Sequence, residues 1–334
     1  MARHIRTNCC DNPLALVYHH SRLRFLLVVT SPTPVHRYPR ALLGTCPIPW
    51  RSDTVWDEPL FRRVVRDLAT ELSPHLYLFG TAGEGHAVTE RQFQELTTAF
   101  VDELRQAGGV PMVGVIHTSL PTVIERLAWA GAHGVREFQI SLPSWAALND
   151  GELDTFFAET CGRFPEYRFL HYNTPRSGRL LTAGDYARLS SRHPNLVAIK
   201  MGGTDLAALQ AIANAAPELR LFCTEFAYIA LRHTLHCGLL CALSACAPAL
   251  AQRLHAADSA EARALEPVYR ALHTAAREAV AGRAHVDGAY DKLYLKLHYP
   301  EFPLRLLPPY ASAGNDRFAR FAGRAQEILA FLST

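Results

Sequence analysis

Lysine is nearly absent from this sequence. Of 34 basic residues only Lys200, Lys292 and Lys296 are lysines, and the rest are arginine. Charge of one sign is lacking too: a net charge of +3 with mixed signs and no basic stripe excludes a nucleic-acid-binding surface. The apolar run Phe25–Val29 is far shorter than a membrane span, so no membrane is implied. The 16 histidines include no HExxH, and the cysteines form no CxxC pair. His233, His236, Cys237, Cys241 and Cys246 lie close together at spacings that match no metal motif, so neither a metal nor a cofactor is expected. Apolar neighbours around Cys223, Cys241 and Cys246 read as buried thiols in a reducing cytoplasm.

What is present is an ordinary globular composition, 49% hydrophobic and 19% charged, which excludes disorder for the bulk of the chain. Residues 1–38 differ: basic and histidine-rich, with the short apolar run and then Ser31-Pro-Thr-Pro34. They read as a poorly ordered extension, or as the product of a start codon placed too early. No small-residue cleavage site of a secretory signal follows.

The stretch Asn195-Leu-Val-Ala-Ile-Lys200 is apolar, partly β-branched and closed by Gly202-Gly203. It reads as a buried parallel strand with a lysine at its end. An amine can lose its proton and form a Schiff base, which a guanidinium cannot, and burial lowers a lysine pKa. A strand-end lysine reaching up to solvent is the plain alternative.

Around that strand runs a rhythm. Strands are expected at Ala41–Thr45, Leu76–Gly80, Pro111–Ile116, Val135–Ser141, Arg168–Tyr172, the Lys200 segment, Leu219–Phe222 and Leu240–Ser244. Helical spacing fills the intervals, as in Asp57–Leu72, and Thr89-Glu-Arg-Gln92 has capping-box spacing. Eight strand–helix repeats predict a (β/α)8 TIM barrel over 39–256, followed by a small C-terminal helical domain over 257–334. A doubly wound sheet would want a glycine-rich dinucleotide loop, and Gly80-Thr-Ala-Gly83 is not one. Barrel chemistry gathers at the carboxyl ends of strands, so Thr45, Thr81, His117, Ser141, Tyr172, Lys200, Glu225 and Ser244 are expected at one mouth.

Three stretches in order, Gly80-Thr-Ala-Gly-Glu84 with Thr89-Glu90, Tyr172-Asn-Thr-Pro175 and Asn195–Lys200, resemble the dihydrodipicolinate synthase / N-acetylneuraminate lyase family of class I aldolases. Gly238–Pro248 resembles the family's eighth strand and following turn. The resemblance covers about residues 40–310. It implies an imine between Lys200 and a 2-oxo acid, typically pyruvate, with an aldehyde as the second small-molecule partner. Tyr172 would be the acid/base, and Thr81 would bind the carboxylate and link to Tyr172, with the N–H groups of Thr81 and Ala82 as an anion nest. Gly83, Glu84, Asn173 and Pro175 would shape loops. A cytoplasmic homo-oligomer, tetramer or dimer, goes with the resemblance.

Departures accompany it. Ala82 stands at the family's second loop hydroxyl, and His117-Thr-Ser-Leu120 offers no tyrosine to a neighbouring subunit. Arg176 and Arg179 only bracket the synthase arginine. These speak against dihydrodipicolinate synthesis itself. Leu142-Pro-Ser-Trp145 is similar to a turn of hydratase-aldolases, where Trp145 would line an apolar pocket. Ser141, Arg176, Glu225 and Ser244 complete the expected substrate contacts. The alternatives are dehydration of a 2-keto-3-deoxy sugar acid by the same imine, or a non-catalytic barrel that binds a 2-oxo acid.

Overall fold

The structure, a computed structural model, describes residues 35–203, 205–245 and 247–330. Most of the expected extension and Cys246 lie outside these residues. Arg37 and Tyr38, assigned to that extension, are firmly packed: Arg37 donates to the carbonyls of Ser190, His193 and Leu196, and Tyr38 Oη donates to Glu137 at 2.7 Å. The packed chain therefore begins ahead of residue 39.

Eight parallel strands close into a barrel, each paired with its neighbour in sequence. They are β1 (Leu42–Thr45), β2 (His75–Leu78), β3 (Val110–Gly114), β4 (Glu137–Ile140), β5 (Arg168–Asn173), β6 (Leu196–Met201), β7 (Arg220–Cys223) and β8 (Gly238–Leu240). Closure sets Leu42 of β1 beside Leu239 of β8. Eight helices cover the outside: α1 (Glu58–Glu71), α2 (Glu90–Gln106), α3 (Leu120–Ala132), α4 (Asp150–Phe157), α5 (Ala183–Arg192), α6 (Leu206–Ala215), α7 (Glu225–Leu235) and α8 (Pro248–Ala256). Helices α1 to α6 each begin with an Asp, Asn, Ser or Thr whose side chain accepts a first-turn backbone N–H, which fixes where each strand-to-helix loop ends.

Two apolar regions follow from the pleat. Alternate residues point inward, and Leu43, Tyr77, Met112, Leu170, Ala198 and Phe222 fill the barrel's interior. The others face the helices in one continuous core, which also takes in Leu265, Tyr269, Leu293 and Phe321 of α9 (Ser259–Val280), α10 (Asp287–His298) and α11 (Asn315–Ala330). The C-terminal helices thus share the barrel's core: α9 packs on α7, and α10 beside the turn after β8.

That turn departs from the sequence expectation. The eighth strand ends at Leu240, and Ala242–Ala245 winds into a short 3-10 helix. A short apolar run does not distinguish strand from helical turn. Here the carboxylate of Glu225 decides, accepting the N–H groups of Ala242 at 2.8 Å and Leu243 at 3.4 Å. The hydroxyl of Ser244 donates to Cys241 O at 2.6 Å and is consumed in the turn.

One buried cluster ties α10 to the loop after β2. Glu84, with a positive φ of 54°, accepts from Trp50 Nε1 at 3.0 Å, the N–H of Leu307 at 2.7 Å and Lys292 Nζ at 2.5 Å. Lys292 is completely buried. Replacing Lys292 by Ala would leave a buried carboxylate without its cation, so unfolding stability in urea is expected to fall by about 3–5 kcal/mol. A loss below about 1 kcal/mol would show that Glu84 does not depend on it.

Candidate active site

Strand register builds the site. Lys200 lies directly across from Tyr172 on β5 and Phe222 on β7, so the amine and the phenol enter the barrel at the same level. Lys200 Nζ donates to Tyr77 Oη at 2.7 Å and stands 3.4 Å from Gln139 Oε1. It lies 4.0 Å from the centre of the Tyr172 ring and 4.6 Å from that of Tyr77. Gly80 makes room for this arrangement, because a Cβ there would come within 2.4 Å of the Tyr77 ring. Burial lowers the Lys200 pKa to about 8; Asp287 and Asp291 oppose the shift and Arg176 adds to it. An amine with that pKa is partly neutral near physiological pH and is a usable nucleophile.

Lys200 opens onto a cavity of about 560 Å³, lined among others by Thr45, Tyr172, Glu225, Asp287 and Asp291. Ala82 and Arg176 also reach it. Burial alone would raise the Glu225 carboxyl, but the hydrogen bond and charge of His273 and its own backbone N–H hold it below the usual range. Asp291 differs: burial, then its neighbour Asp287, push its pKa well up against the pull of Lys200. Among the described residues its one hydrogen bond is accepted from Thr45 Oγ1 at 3.4 Å.

A second cavity, of about 380 Å³, adjoins the first and is lined by Thr81, His117, Ser141 and Ser144. Tyr172 and Arg176 face both cavities. Arg176 donates to Tyr172 Oη at 3.3 Å and to Asp287 at 3.0 Å, forming part of the wall between them.

The expected residues therefore divide. Lys200, Tyr172, Ala82, Arg176 and Glu225 share the lysine cavity, whereas Thr81 and Ser141 lie in the adjoining one. Thr81 makes no hydrogen bond to Tyr172, whose oxygen is engaged by Arg176 instead. Ser244 borders neither cavity. Trp145 is 91% exposed and lines neither cavity, although Ser144 beside it lines the second. Glu84 serves loop architecture, as expected.

Sequence reading missed Tyr77, Gln139, Asp287 and Asp291. The signal for Tyr77 was present: in His75-Leu-Tyr-Leu78 the pleat turns Tyr77 toward the interior while Leu76 and Leu78 face the helices. Asp287, Tyr290, Asp291 and Tyr294 lie at helical spacing along one face of α10. Nothing local in the sequence says that this face meets the barrel mouth.

Fold and site together define a (β/α)8 barrel with a buried lysine at its mouth. The model of the dihydrodipicolinate synthetase family matches residues 39–273, and the chain belongs to that family, whose members are class I aldolases and lyases. A 4-hydroxy-tetrahydrodipicolinate synthase of Thermus thermophilus is 27% identical over 187 residues, 55% of this chain and 62% of that protein. The chain thus matches a little over three-fifths of that relative's length. A prophage protein of the dihydrodipicolinic acid synthase family from E. coli K12, solved in complex with pyruvate, superposes with a TM-score of 0.77 at 16% identity, covering 87% of this chain and 98% of the other. The KD(P)GA of T. tenax gives 0.74 at 17% identity, covering 87% and 99%. At such identities these two structures speak for the fold.

The lowered Lys200 pKa has a consequence for stability. Below about pH 8 the folded protein carries a poorly solvated ammonium. Between about 8 and 10.5 the unfolded chain still binds a proton that the folded protein has released, so stability rises with pH across that window. Relative to Lys200→Met, the wild-type protein is expected to gain about 3 kcal/mol between pH 7 and 10.5 in urea unfolding. A pH-independent difference would mean that water solvates the amine.

Proposed function

We propose that the protein is a lyase or aldolase that joins Lys200 to a 2-oxo acid, pyruvate or a relative, as a Schiff base. It would make or break the neighbouring C–C bond with an aldehyde. The observation that carries this reading is the Lys200 amine, buried, with a pKa lowered to about 8, 2.7 Å from Tyr77 Oη and facing the Tyr172 ring at the floor of a cavity. The neutral amine attacks C2 of the 2-oxo acid, and the protonated imine then acts as an electron sink. When the bond between C3 and C4 of a 4-hydroxy-2-oxo acid breaks, its electrons flow into the imine and leave an enamine. Tyr172 carries the proton of the aldehyde oxygen. Backbone N–H groups of Thr81 and Ala82 are the proposed carboxylate cradle, with Arg176 at the substrate's far end.

Glu225, His273, Asp287 and Asp291 offer polar contacts to a hydroxylated second half, while Phe226, Leu240, Tyr290 and Tyr294 line the same cavity. The polar contacts also favour, as a second reading, dehydration of a 2-keto-3-deoxy sugar acid through the same imine. Release of water without C–C cleavage would select the dehydratase. Assembly as a homo-oligomer in the cytoplasm belongs to the same proposal, as does the expectation that dihydrodipicolinate synthesis is not its reaction.

Borohydride reduction in the presence of pyruvate, followed by intact mass and peptide mapping, is expected to place an adduct on Lys200 that Lys200→Arg loses. The trapping rate should rise as pH approaches 8, where the amine sheds its proton. Absence of any adduct with pyruvate or longer 2-oxo acids would sink the imine and leave the 2-oxo acid binding barrel.

A further inference from the structure

We infer that Asp291, carried into the barrel mouth by α10, is a catalytic acid of the lysine site, giving its proton to the hydroxyl that leaves when the imine forms. This rests on the Lys200 imine proposed above. Three carboxyls line the lysine cavity, those of Glu225, Asp287 and Asp291. Glu225 is held ionised by His273 and committed to two backbone N–H groups. Asp287 is ion-paired with Arg176. Asp291 is 2% exposed and, among the described residues, no Lys, Arg or His nitrogen stands within ion-pair distance of it. A buried carboxyl with no cation and one long hydrogen bond from Thr45 keeps its proton, because ionising it there would go uncompensated. The groups around it are divided: Asp287 on its own helix and Glu225 from α7 favour the neutral form, while Lys200 from β6 and the hydrogen bond from Thr45 oppose it, and burial outweighs them.

Two phenols stand beside the lysine as well. Tyr77 Oη accepts from Lys200 Nζ, and Tyr172 Oη accepts from Arg176. The placement of Asp291 is also built rather than incidental. Lys292, the next residue along α10, is locked to Glu84, and a Cβ on Gly288 would lie 3.3 Å from the carbonyl of Ala82. The helix therefore passes close over the loop at the one position in it that offers a methyl group to the cavity.

The step balances. Addition of the neutral amine to C2 gives a carbinolamine. Asp291 donates its proton to the C2 hydroxyl, the C–O bond breaks and water departs. The nitrogen lone pair becomes the C=N bond, so a neutral carbinolamine and a neutral carboxyl become an iminium cation and a carboxylate. The new cation is the partner that Asp291 lacks in the free protein, so its pKa falls as the imine forms. In hydrolysis the carboxylate takes the proton back from the incoming water.

The test is the rate of imine formation between the full chain and pyruvate, read by rapid-quench borohydride reduction and intact mass. Asp291→Asn keeps the side chain's shape and its acceptor for Thr45, but cannot give up a proton. Its rate is expected to fall about a hundredfold, the scale of general acid catalysis, with the melting temperature unchanged. Asp291→Ala, assayed with added formate, should regain about tenfold of its loss, since a small acid fills the vacated space; a purely structural carboxyl would show no such rescue. A wild-type adduct combined with an Asp291→Asn rate within threefold of wild type would overturn this role and leave the imine standing. So would a deficit in Asp291→Ala that formate does not relieve. If the wild-type protein forms no adduct, the imine and this role fall together.

Discussion

An ammonium group needs water, and the carboxyl end of β6 gives Lys200 almost none. The surroundings supply partial substitutes: the oxygen of Tyr77, the carbonyl of Gln139 and the negative faces of two aromatic rings. None of these is a full negative charge in contact with the nitrogen. The compensation is enough to keep the side chain inside and too little to keep it firmly protonated. A direct carboxylate partner at Nζ would have stabilised the ammonium and removed the nucleophile. Lys292 has such a partner in the same chain: completely buried, it is bonded to Glu84, whose charge opposes the lowering of its pKa by burial. The contrast between the two lysines is one of partners, since both are buried.

Much of the fold was legible because its determinants are local and repeated. Apolar strands punctuated by helical spacing recur eight times, six of the helices with a capping residue, and closure of a parallel sheet then follows from covering both faces. The position of Lys200 at a strand end and the inward level of Tyr172 could be read from the same pattern. The eighth strand was misplaced because Leu240–Ser244 carries no periodicity of its own; a carboxylate from α7, distant in sequence, settles its geometry. Ser244 and Trp145 lie outside the two cavities for related reasons. A strand-end rule assigns a hydroxyl to the mouth only where the strand actually ends, and a tryptophan after a strand turns inward only if the loop bends that way.

What sequence reading could not reach is the contribution of α10. Its inward face, with Asp287 and Asp291, looks on the page like any amphipathic helix with acidic residues near its start. That face becomes functional only through Glu84, whose carboxylate binds Trp50, Lys292 and the backbone at Leu307 together. The family motif Gly80–Glu84 thus has two roles in this chain: its early residues shape the cavity, and its last residue fastens the segment that covers it.

Charge balance in the mouth makes sense of that cover. Besides Lys200 itself, the cavity contains two arginines that could meet a substrate carboxylate, Arg176 and Arg277, and the first is occupied by Asp287. On the proposed reading, a 2-oxo acid brings its own negative charge into this cavity, its carboxylate at the N–H groups of Thr81 and Ala82. On the same reading, the iminium adds a positive charge to the cavity that Asp291 lines. An anionic substrate and a cationic intermediate place opposite demands on one small volume, and a fixed set of charges would favour one at the expense of the other. Two carboxyls on adjacent turns of α10, Asp287 paired with Arg176 and Asp291 pushed toward its neutral form by burial, would answer both demands without the helix moving. On that reading, α10 belongs to the chemistry of the barrel as much as to its packing.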